Sequence, residues 1–432
     1  MLQLIAPGHR DKVSLLLFWR QKLKATLSPL FSLLLSAAFL LTGNGLQGIL
    51  TPIRANMEGF SAIAIGVLGS AYFAGSVIGC LVCPHVVKRV GHIRSFVVLA
   101  ATASTTILIQ ALIIDLVIWG ALRIIMGFCF AGLAMVIESW LNDKTNNETR
   151  GQVFSIYTII NLVVITFGQL MMNWSSPSGL ILFILVSILL SISILPVALT
   201  ESMAPPPLLS VKLRLRWLFN TSVMGCAGCF CVGLANGAFW TLGPVFAQAS
   251  GMSIKSVTIF MSVAVIGGAI SQWPLGKLSD GMDRRKVIGF CCLFAGSMGL
   301  GLALVHGHSV IGMWVLTFMF GVFAFPLYSL SVAHANDSVS RKDFVEVSSG
   351  LLLIFGAGAI IGPLIASKFI QHFGQPTLFV YTALVHSLTG ALAYYRITKR
   401  ERVPIEEREN FVSIPQTSPV VSLLDPRSEK QP

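Results

Sequence analysis

A short pattern of residues occurs twice in this chain of 432 residues, and its two copies lie 192 positions apart. The pattern is Asn-Gly, followed by a leucine and then a proline, and the copies begin at Asn44 and Asn236. The same offset relates Gly75 to Gly267, and the register continues without a gap into the basic segment that begins at Lys88. Such a register indicates a chain built from two related halves, an architecture common among secondary transporters of membranes.

The composition is that of an integral membrane protein. Hydrophobic residues make up 54% of the chain, charged residues make up only 11%, and the mean hydropathy is +0.79, whereas soluble domains carry about 25% charged residues. The net charge of +12 does not call for a nucleic-acid partner, because basic residues are expected in the cytoplasmic loops of membrane proteins. The lipid bilayer is therefore the first partner that the sequence predicts.

Apolar runs long enough to cross a bilayer recur along almost the whole chain. A helical span needs about 20 mostly apolar residues, and twelve runs meet this requirement. The runs are 27–50, 63–84, 95–114, 118–141, 153–173, 178–198, 218–247, 256–276, 287–305, 310–334, 346–370 and 376–395. The sequence thus predicts an all-α integral membrane fold with twelve transmembrane helices in two six-helix pseudo-repeats.

The distribution of basic residues predicts the orientation and the domain boundaries. If both termini are cytoplasmic, 26 of the 30 Lys and Arg residues lie in cytoplasmic segments, as the positive-inside rule requires. We therefore expect a multi-pass protein of the cell membrane, which is the inner membrane if the chain is bacterial. The predicted parts are a basic cytoplasmic segment 1–26, a six-helix bundle 27–198, a cytoplasmic linker 199–217, a second six-helix bundle 218–396 and a disordered cytoplasmic tail 397–432.

Two motifs resemble those of a known family, the major facilitator superfamily. The eighth span ends in Gly276-x-Leu-x-Asp280, and an Arg-Arg-Lys run begins at Arg284, which together resemble the family's G-x-L-x-D-r-x-G-R-r/k loop signature. Arg123-x-x-x-Gly127 in the fourth span resembles its Arg-x-x-x-Gly motif. The resemblance covers roughly residues 27–396 and implies the twelve-helix transporter fold. It is closest to a small bacterial branch whose substrates are largely unassigned.

The first copy of the loop signature has diverged from the second. Lys88 occupies the position of the aspartate, and only Gly91 and Arg94 stay close to the pattern. By resemblance to the family, Glu138 at the cytoplasmic end of the fourth helix is the acidic partner of this loop. We hypothesise that Glu138 pairs with Lys88, Arg89 or Arg94, favouring the outward-facing state, and that Asp280 pairs in the same way with Arg284 or Arg285 in the second half. The alternative is that these are ordinary cytoplasmic charges without a gating role. The predicted latch comprises Lys88, Arg89, Gly91, Arg94, Glu138, Gly276, Asp280, Arg284 and Arg285.

Polar residues inside the spans are the candidates for the transport path. An ionisable residue within a span is costly and is a functional candidate by default, and Arg123 is the clearest example. Asn44 and Asn236 lie on the first and seventh helices, which line the central cavity in proteins of this family. The alternative reading is that such residues form hydrogen bonds between helices or, for Arg123, bind backbone carbonyls. The candidate path residues are Asn44, Gln47, Arg123, Asn161, Gln169, Asn236 and Trp240.

These features favour a secondary active transporter of a small solute that works by alternating access. The resemblance to the family implies that protons are the coupling ion. Small-molecule efflux is slightly favoured over uptake of a metabolite or sugar, and a non-transporting sensor or scaffold of the same fold is the other class. The sequence has no H-E-x-x-H, G-x-S-x-G or Walker-type loop, so we expect neither an enzyme nor an ATP-driven pump. We also expect no cofactor, no metal site and a monomer. Cargo, direction and coupling ion stay open at this point.

Overall fold

The computed structural model describes residues 30–145, 149–199, 214–399, 401, 403–404 and 408–424, without the side chains of 422–424. The predicted basic segment 1–26 and most of the predicted linker 199–217 lie outside the described residues.

Within the described part of the chain, twelve helical segments are long and apolar enough to span a membrane, which confirms the predicted all-α fold. They are numbered here as α1 (Phe31–Met57), α2 (Ala62–Val90), α3 (His92–Leu112), α4 (Leu116–Asp143), α5 (Arg150–Trp174), α6 (Ile181–Ala198), α7 (Val223–Ala249), α8 (Ile254–Gly281), α9 (Arg284–Val305), α10 (Val310–Asn336), α11 (Arg341–Phe373) and α12 (Thr377–Lys399). The last four residues of α5 form a 3-10 turn, and α10 is interrupted before Leu327.

The turns after α1 and α7 show the internal repeat at the level of single residues. Gly59 and Gly251 have φ angles of 79° and 80°, a left-handed conformation that glycine adopts at little cost. Two residues later, the hydroxyls of Ser61 and Ser253 each accept a hydrogen bond from a backbone N–H of the next helix, as N-cap residues do. Both pairs are separated by the 192-residue offset, so the repeat includes the turns as well as the helices.

Repeated glycines bring equivalent helices into close contact in both halves. A Cβ atom on Gly75 of α2 would overlap the carbonyl oxygen of Ile124, and one on Gly127 of α4 would overlap that of Tyr72. Gly267 of α8 and Gly321 of α10 stand in the same relation in the second half. Small residues let membrane helices pack at short distance, so the repeated glycines fix the two helix pairs in one geometry. The pairs α1–α5 and α7–α11 are joined in the same way by Gly45, Gly168, Gly233, Gly237, Gly358 and Gly362.

The two halves contact each other toward the end of the bundle that the charge pattern places outside. The Asn56 side chain of α1 donates to the amide oxygen of Gln248 on α7 at 2.8 Å, and these residues are again 192 positions apart. Asn173 of α5 donates to the hydroxyl of Thr258 on α8 at 3.0 Å. At the opposite, cytoplasmic end, residues 408–421 of the tail lie between the halves. The conformation is therefore closed on the outside.

The prediction of a disordered tail after residue 397 does not agree with this arrangement. Helix α12 continues to Lys399, and in the stretch 411–421 Ile414, Ser418, Val420 and Val421 are buried and the other residues are half-buried. Residues 411–421 contain no charged residue, unlike the chain on either side. An uncharged segment enters a buried space without the large cost of desolvating charges. The prediction of disorder rested on the polar, charged and proline-rich composition of the tail as a whole.

Candidate functional site

A cavity of about 310 Å³ lies between the two halves and extends from the middle of α1 toward the outer ends of the spans. Its walls come from α1, α2, α4 and α5 of the first half and from α7, α8 and α11 of the second. Five of the seven predicted path residues line it, namely Asn44, Gln47, Arg123, Gln169 and Trp240. Asn161 and Asn236 are buried but do not line this cavity. Their predicted role in the path has no geometric counterpart here.

Arg123 is the one charged residue among the described residues that line the cavity. Its guanidinium lies over the ring of Tyr72, with the central carbon 4.4 Å from the ring centroid, and cation–π contacts of this kind hold a cation at a desolvated place. The Tyr72 hydroxyl donates to the amide oxygen of Asn44 at 3.4 Å. No described residue accepts a hydrogen bond from the Arg123 Nε atom, and no described carboxylate forms an ion pair with this arginine. The site therefore holds an uncompensated positive charge.

Two glutamines and a tryptophan supply the remaining polar and aromatic surface. Within the described chain, both polar atoms of the Gln47 amide lack a hydrogen-bond partner, although the side chain is only 1% exposed. The Gln169 amide oxygen accepts from the hydroxyl of Ser262 at 3.2 Å. Trp240 stacks on Phe325 with ring centroids 5.4 Å apart. A buried amide without partners is costly, so Gln47 is ready to bind a polar group that enters the cavity.

Among the cavity-lining residues that the sequence reasoning did not predict are Tyr72, Phe73 and Gln416. Tyr72 and Phe73 lie between Ser61 and Gly75, two positions of the internal repeat. That placement was the one sequence signal that pointed to this part of α2. Gln416 comes from the tail and reaches the cavity wall only through the folded arrangement, for which the sequence offered no local signal.

At the cytoplasmic end of the second half, Arg284 is the centre of a buried network. Its guanidinium pairs with Asp280 at 3.0 Å and with Asp337 at 2.7 Å, and it also donates to the Ser279 hydroxyl at 2.7 Å. Arg284 and Asp337 are 1% and 4% exposed. The predicted Asp280–Arg284 contact is thus formed, while Asp337 at the end of α10 was not anticipated. That the Asp280–Arg284 pair acts as a latch stays a prediction.

Arg285 pairs with Asp283 and not with Asp280. The distance is 2.7 Å, and the Asp283 carboxylate also accepts from the backbone N–H of Arg285 as the N-cap of α9. Burial raises the pKa of the Asp283 carboxyl, but hydrogen bonds and charge from Arg285 outweigh this effect, so the pKa lies below its ordinary value. Asp283 stands where the family signature has glycine. The departure thus places an acid that caps α9 and binds Arg285.

In the first half, the predicted latch cations form no such network among the described residues. Lys88, Arg89 and Arg94 are exposed and form no ion pair with a described residue, and Gly91 serves as the turn between α2 and α3 with a φ of 89°. The hypothesised pairing of Glu138 with one of these cations is therefore not present. Glu138 is fully buried and faces away from the loop, toward Tyr157 of α5 and the tail.

Hydroxyl groups surround the Glu138 carboxylate in place of cations. The Tyr157 hydroxyl donates to Oε1 at 3.1 Å. The hydroxyls of Thr417 and Ser418 donate to Oε1 and Oε2, respectively.

Among the described residues, no three His, Cys, Asp or Glu side chains are grouped so that they would hold a metal ion.

The comparison with known proteins agrees with this architecture. The model of the Major Facilitator Superfamily matches residues 33–305 and 225–430. The chain belongs to this superfamily. An uncharacterized MFS-type transporter, YcaD of Escherichia fergusonii, is 28% identical over 361 residues, which are 82% of this chain and 92% of that protein. YcaD of Escherichia coli O139:H28 is likewise 28% identical, over 360 residues.

Solved structures of other transporters share the fold. The nucleoside transporter NupG aligns with a TM-score of 0.72 at 13% identity, over 86% of this chain and all of NupG. A bacterial homologue of the human lysosomal transporter Spinster, in an inward-facing and occupied conformation, aligns with a TM-score of 0.71 at 15% identity, over 88% of this chain and 97% of that one. At these identities the likeness concerns the fold alone.

Proposed function

We propose that this protein is a secondary transporter that moves small amphipathic monoanions across the membrane by alternating access. The observation that carries the proposal is Arg123, a single positive charge in a cavity that both halves line. Membership in a superfamily of transporters and a cavity that lies between the two halves support transport as such. Ionisable residues within spans commonly mark the path of a substrate.

The chemistry of the cavity favours one negative charge attached to an apolar body. Arg123 offers a planar guanidinium that suits a carboxylate, and a second negative charge would find no cation among the described lining residues. The rings of Tyr72, Phe73 and Trp240 provide the apolar surface, and the Gln47 amide provides a hydrogen bond. The volume of about 310 Å³ is near the lower limit for ligand pockets, which favours a small cargo.

A matched pair of probes tests this proposal. Phenylacetate carries the expected charge and ring, whereas phenylacetamide has nearly the same shape without the charge. We expect phenylacetate, and not the amide, to raise the melting temperature of the purified protein and to enter proteoliposomes. Arg123→Gln should abolish the difference between the probes. Arg123→Lys should retain part of it, because the charge remains while the planar fork is lost. Equal responses to both probes in the unaltered protein would refute the assignment of an anionic cargo.

Direction and coupling are proposed separately. We retain efflux coupled to proton entry from the sequence reasoning, with uptake as the alternative. Among the described residues, no carboxylate lines the central cavity, so the cavity itself offers no acidic carrier of a proton. Phenylacetate flux with and without an imposed proton gradient distinguishes these cases. Binding without any flux would favour the non-transporting sensor instead.

A further inference from the structure

The central cavity has an unusual wall on its cytoplasmic side, because part of it is the C-terminal tail of the same chain. Gln416 lines the central cavity together with Arg123 and Trp240. Thr417 lines an adjoining cavity of about 150 Å³ together with Cys80 of α2. The tail therefore reaches from the cytoplasmic end of the bundle to the place where we propose that cargo binds.

On the side of the first half, the tail is held through Glu138 and an apolar contact. The hydroxyls of Thr417 and Ser418 each bind a different oxygen of the Glu138 carboxylate. Val420 packs with Cys83 of α2 and Met135 of α4 in one buried cluster.

On the side of the second half, the tail binds through its backbone and through Phe411. The Phe411 N–H donates to the Asp280 carboxylate at 2.8 Å, and a Cβ on Gly276 would overlap the Phe411 ring. The Ile414 N–H donates to the hydroxyl of Ser329 at 3.1 Å, and that hydroxyl lies 3.3 Å from the Ile414 carbonyl oxygen. Asp280 and Gly276, two residues of the loop signature, thus serve as a docking site for the tail.

From these contacts we infer that residues 411–421 are an internal blocking segment, which seals the central cavity from the cytoplasm and holds the two halves apart at that end. The segment is uncharged, and Pro415 and Pro419 favour extended backbone in the residues before them. It binds Glu138 on one half and Asp280 on the other, so it bridges them. Alternating access requires the cytoplasmic ends to approach when the outside opens. The segment must leave its site before that movement takes place.

The native residue Cys80 reports on the segment, because it lines the small cavity beside Thr417 and is only 8% exposed. In a variant that retains Cys80 as its single cysteine, labelling by a membrane-impermeant maleimide is measured from the cytoplasmic side in inside-out vesicles. Deletion of residues 408–432 should raise the labelling rate of Cys80 about tenfold or more, a factor typical of losing two hydrogen bonds. Deletion of residues 425–432 alone is the matched control and should leave the rate unchanged.

Two further measurements separate blocking from damage to the fold. A synthetic peptide of residues 408–424, added to the deleted protein, should restore the protection of Cys80, whereas a scrambled peptide should not. In the intact chain, Thr417→Val combined with Ser418→Ala should raise the rate about tenfold, whereas Thr398→Val at the end of α12, which bonds only within its own helix, should not. Equal labelling of the full chain and the deletion, or protection by both peptides alike, overturns the proposal.

Discussion

The close contact between α2 and α4 can be tested with one methyl group. A Cβ on Gly127 would overlap the carbonyl oxygen of Tyr72 and would lie 2.8 Å from the backbone nitrogen of Ser76. Gly127→Ala therefore forces backbone atoms apart, and overpacking of this kind costs about 1–3 kcal/mol. Alanine regains about 0.5–1 kcal/mol over glycine in a helix interior. The expected net loss in the free energy of unfolding is roughly 0–2.5 kcal/mol.

The same helix supplies the control for this substitution. Gly120 has nothing within 4 Å of its added Cβ, so Gly120→Ala gains helix propensity without a clash and should be about 0.5–1 kcal/mol more stable than the unaltered protein. Unfolding by increasing mole fraction of sodium dodecyl sulfate in mixed micelles, followed by circular dichroism, measures both variants against the unaltered protein. Gly127→Ala should also weaken phenylacetate binding, because Arg123 and Tyr72 lie on the two helices that move apart. If Gly127→Ala is as stable as Gly120→Ala, the close approach does not hold these helices.

Two further predictions concern the cytoplasmic end of the second half. Asp337→Asn should lower the free energy of unfolding by about 2–3 kcal/mol, below the usual 3–5 kcal/mol for breaking a buried pair, because Arg284 keeps a second acid. The control is Asp343→Asn, which removes a carboxylate from an exposed pair with Arg214 and should cost less than about 1 kcal/mol. If both variants lose the same free energy of unfolding in the detergent titration, the buried network does not contribute as described. Asp283→Asn should lower the melting temperature at neutral pH, because the pair with Arg285 contributes stability above the unfolded pKa of the aspartate. That contribution disappears as the pH falls through the lowered folded pKa, so the two melting curves should converge below about pH 4; a constant gap would contradict this cause.

The sequence predicted the framework because the framework depends on periodic local signals. Apolar length and the distribution of basic residues predict twelve spans, and the repeated Asn-Gly, Gly75 and Gly267 mark where equivalent helices touch. The outcome at Asn236 shows the limit of this reasoning. By the 192-residue offset, Asn236 corresponds to Asn44, yet it does not line the cavity.

The reason lies in the partners of the two asparagines. Asn44 accepts from the Tyr72 hydroxyl, whereas the position equivalent to Tyr72 in the second half is Ala264, whose carbonyl faces Gly321 just as that of Tyr72 faces Gly127. In the described structure, the Asn236 amide oxygen has no hydrogen-bond partner. Duplication therefore preserved the contact between backbones but not the side chains that make a binding surface.

The tail escaped prediction for a different physical reason. Its binding depends on complementarity between distant residues, such as Thr417 with Glu138 and Phe411 with Gly276, and no periodic pattern in the chain records such pairs. The Pro and polar residues that indicated disorder are the same ones that allow an extended segment to bind through its backbone and hydroxyls. The composition of a segment indicates how much entropy is lost when it becomes ordered. Whether it becomes ordered depends on the free energy gained from its contacts with the rest of the protein.

The two halves thus share a packing framework and differ in chemistry. Arg123 and Tyr72 have no counterpart in the second half, because the matched glycines Gly127 and Gly321 place Thr317 opposite Arg123, and the 192-residue offset places Ala264 opposite Tyr72. The buried Arg284 network occurs only in the second half. A segment that blocks the cytoplasmic side must bind both surfaces, and the tail does so with hydroxyls for the carboxylate of the first half and a backbone N–H for the carboxylate of the second. The Glu138 carboxyl group, which pairs with none of the described cations of the first loop, is the group that the tail hydroxyls bind.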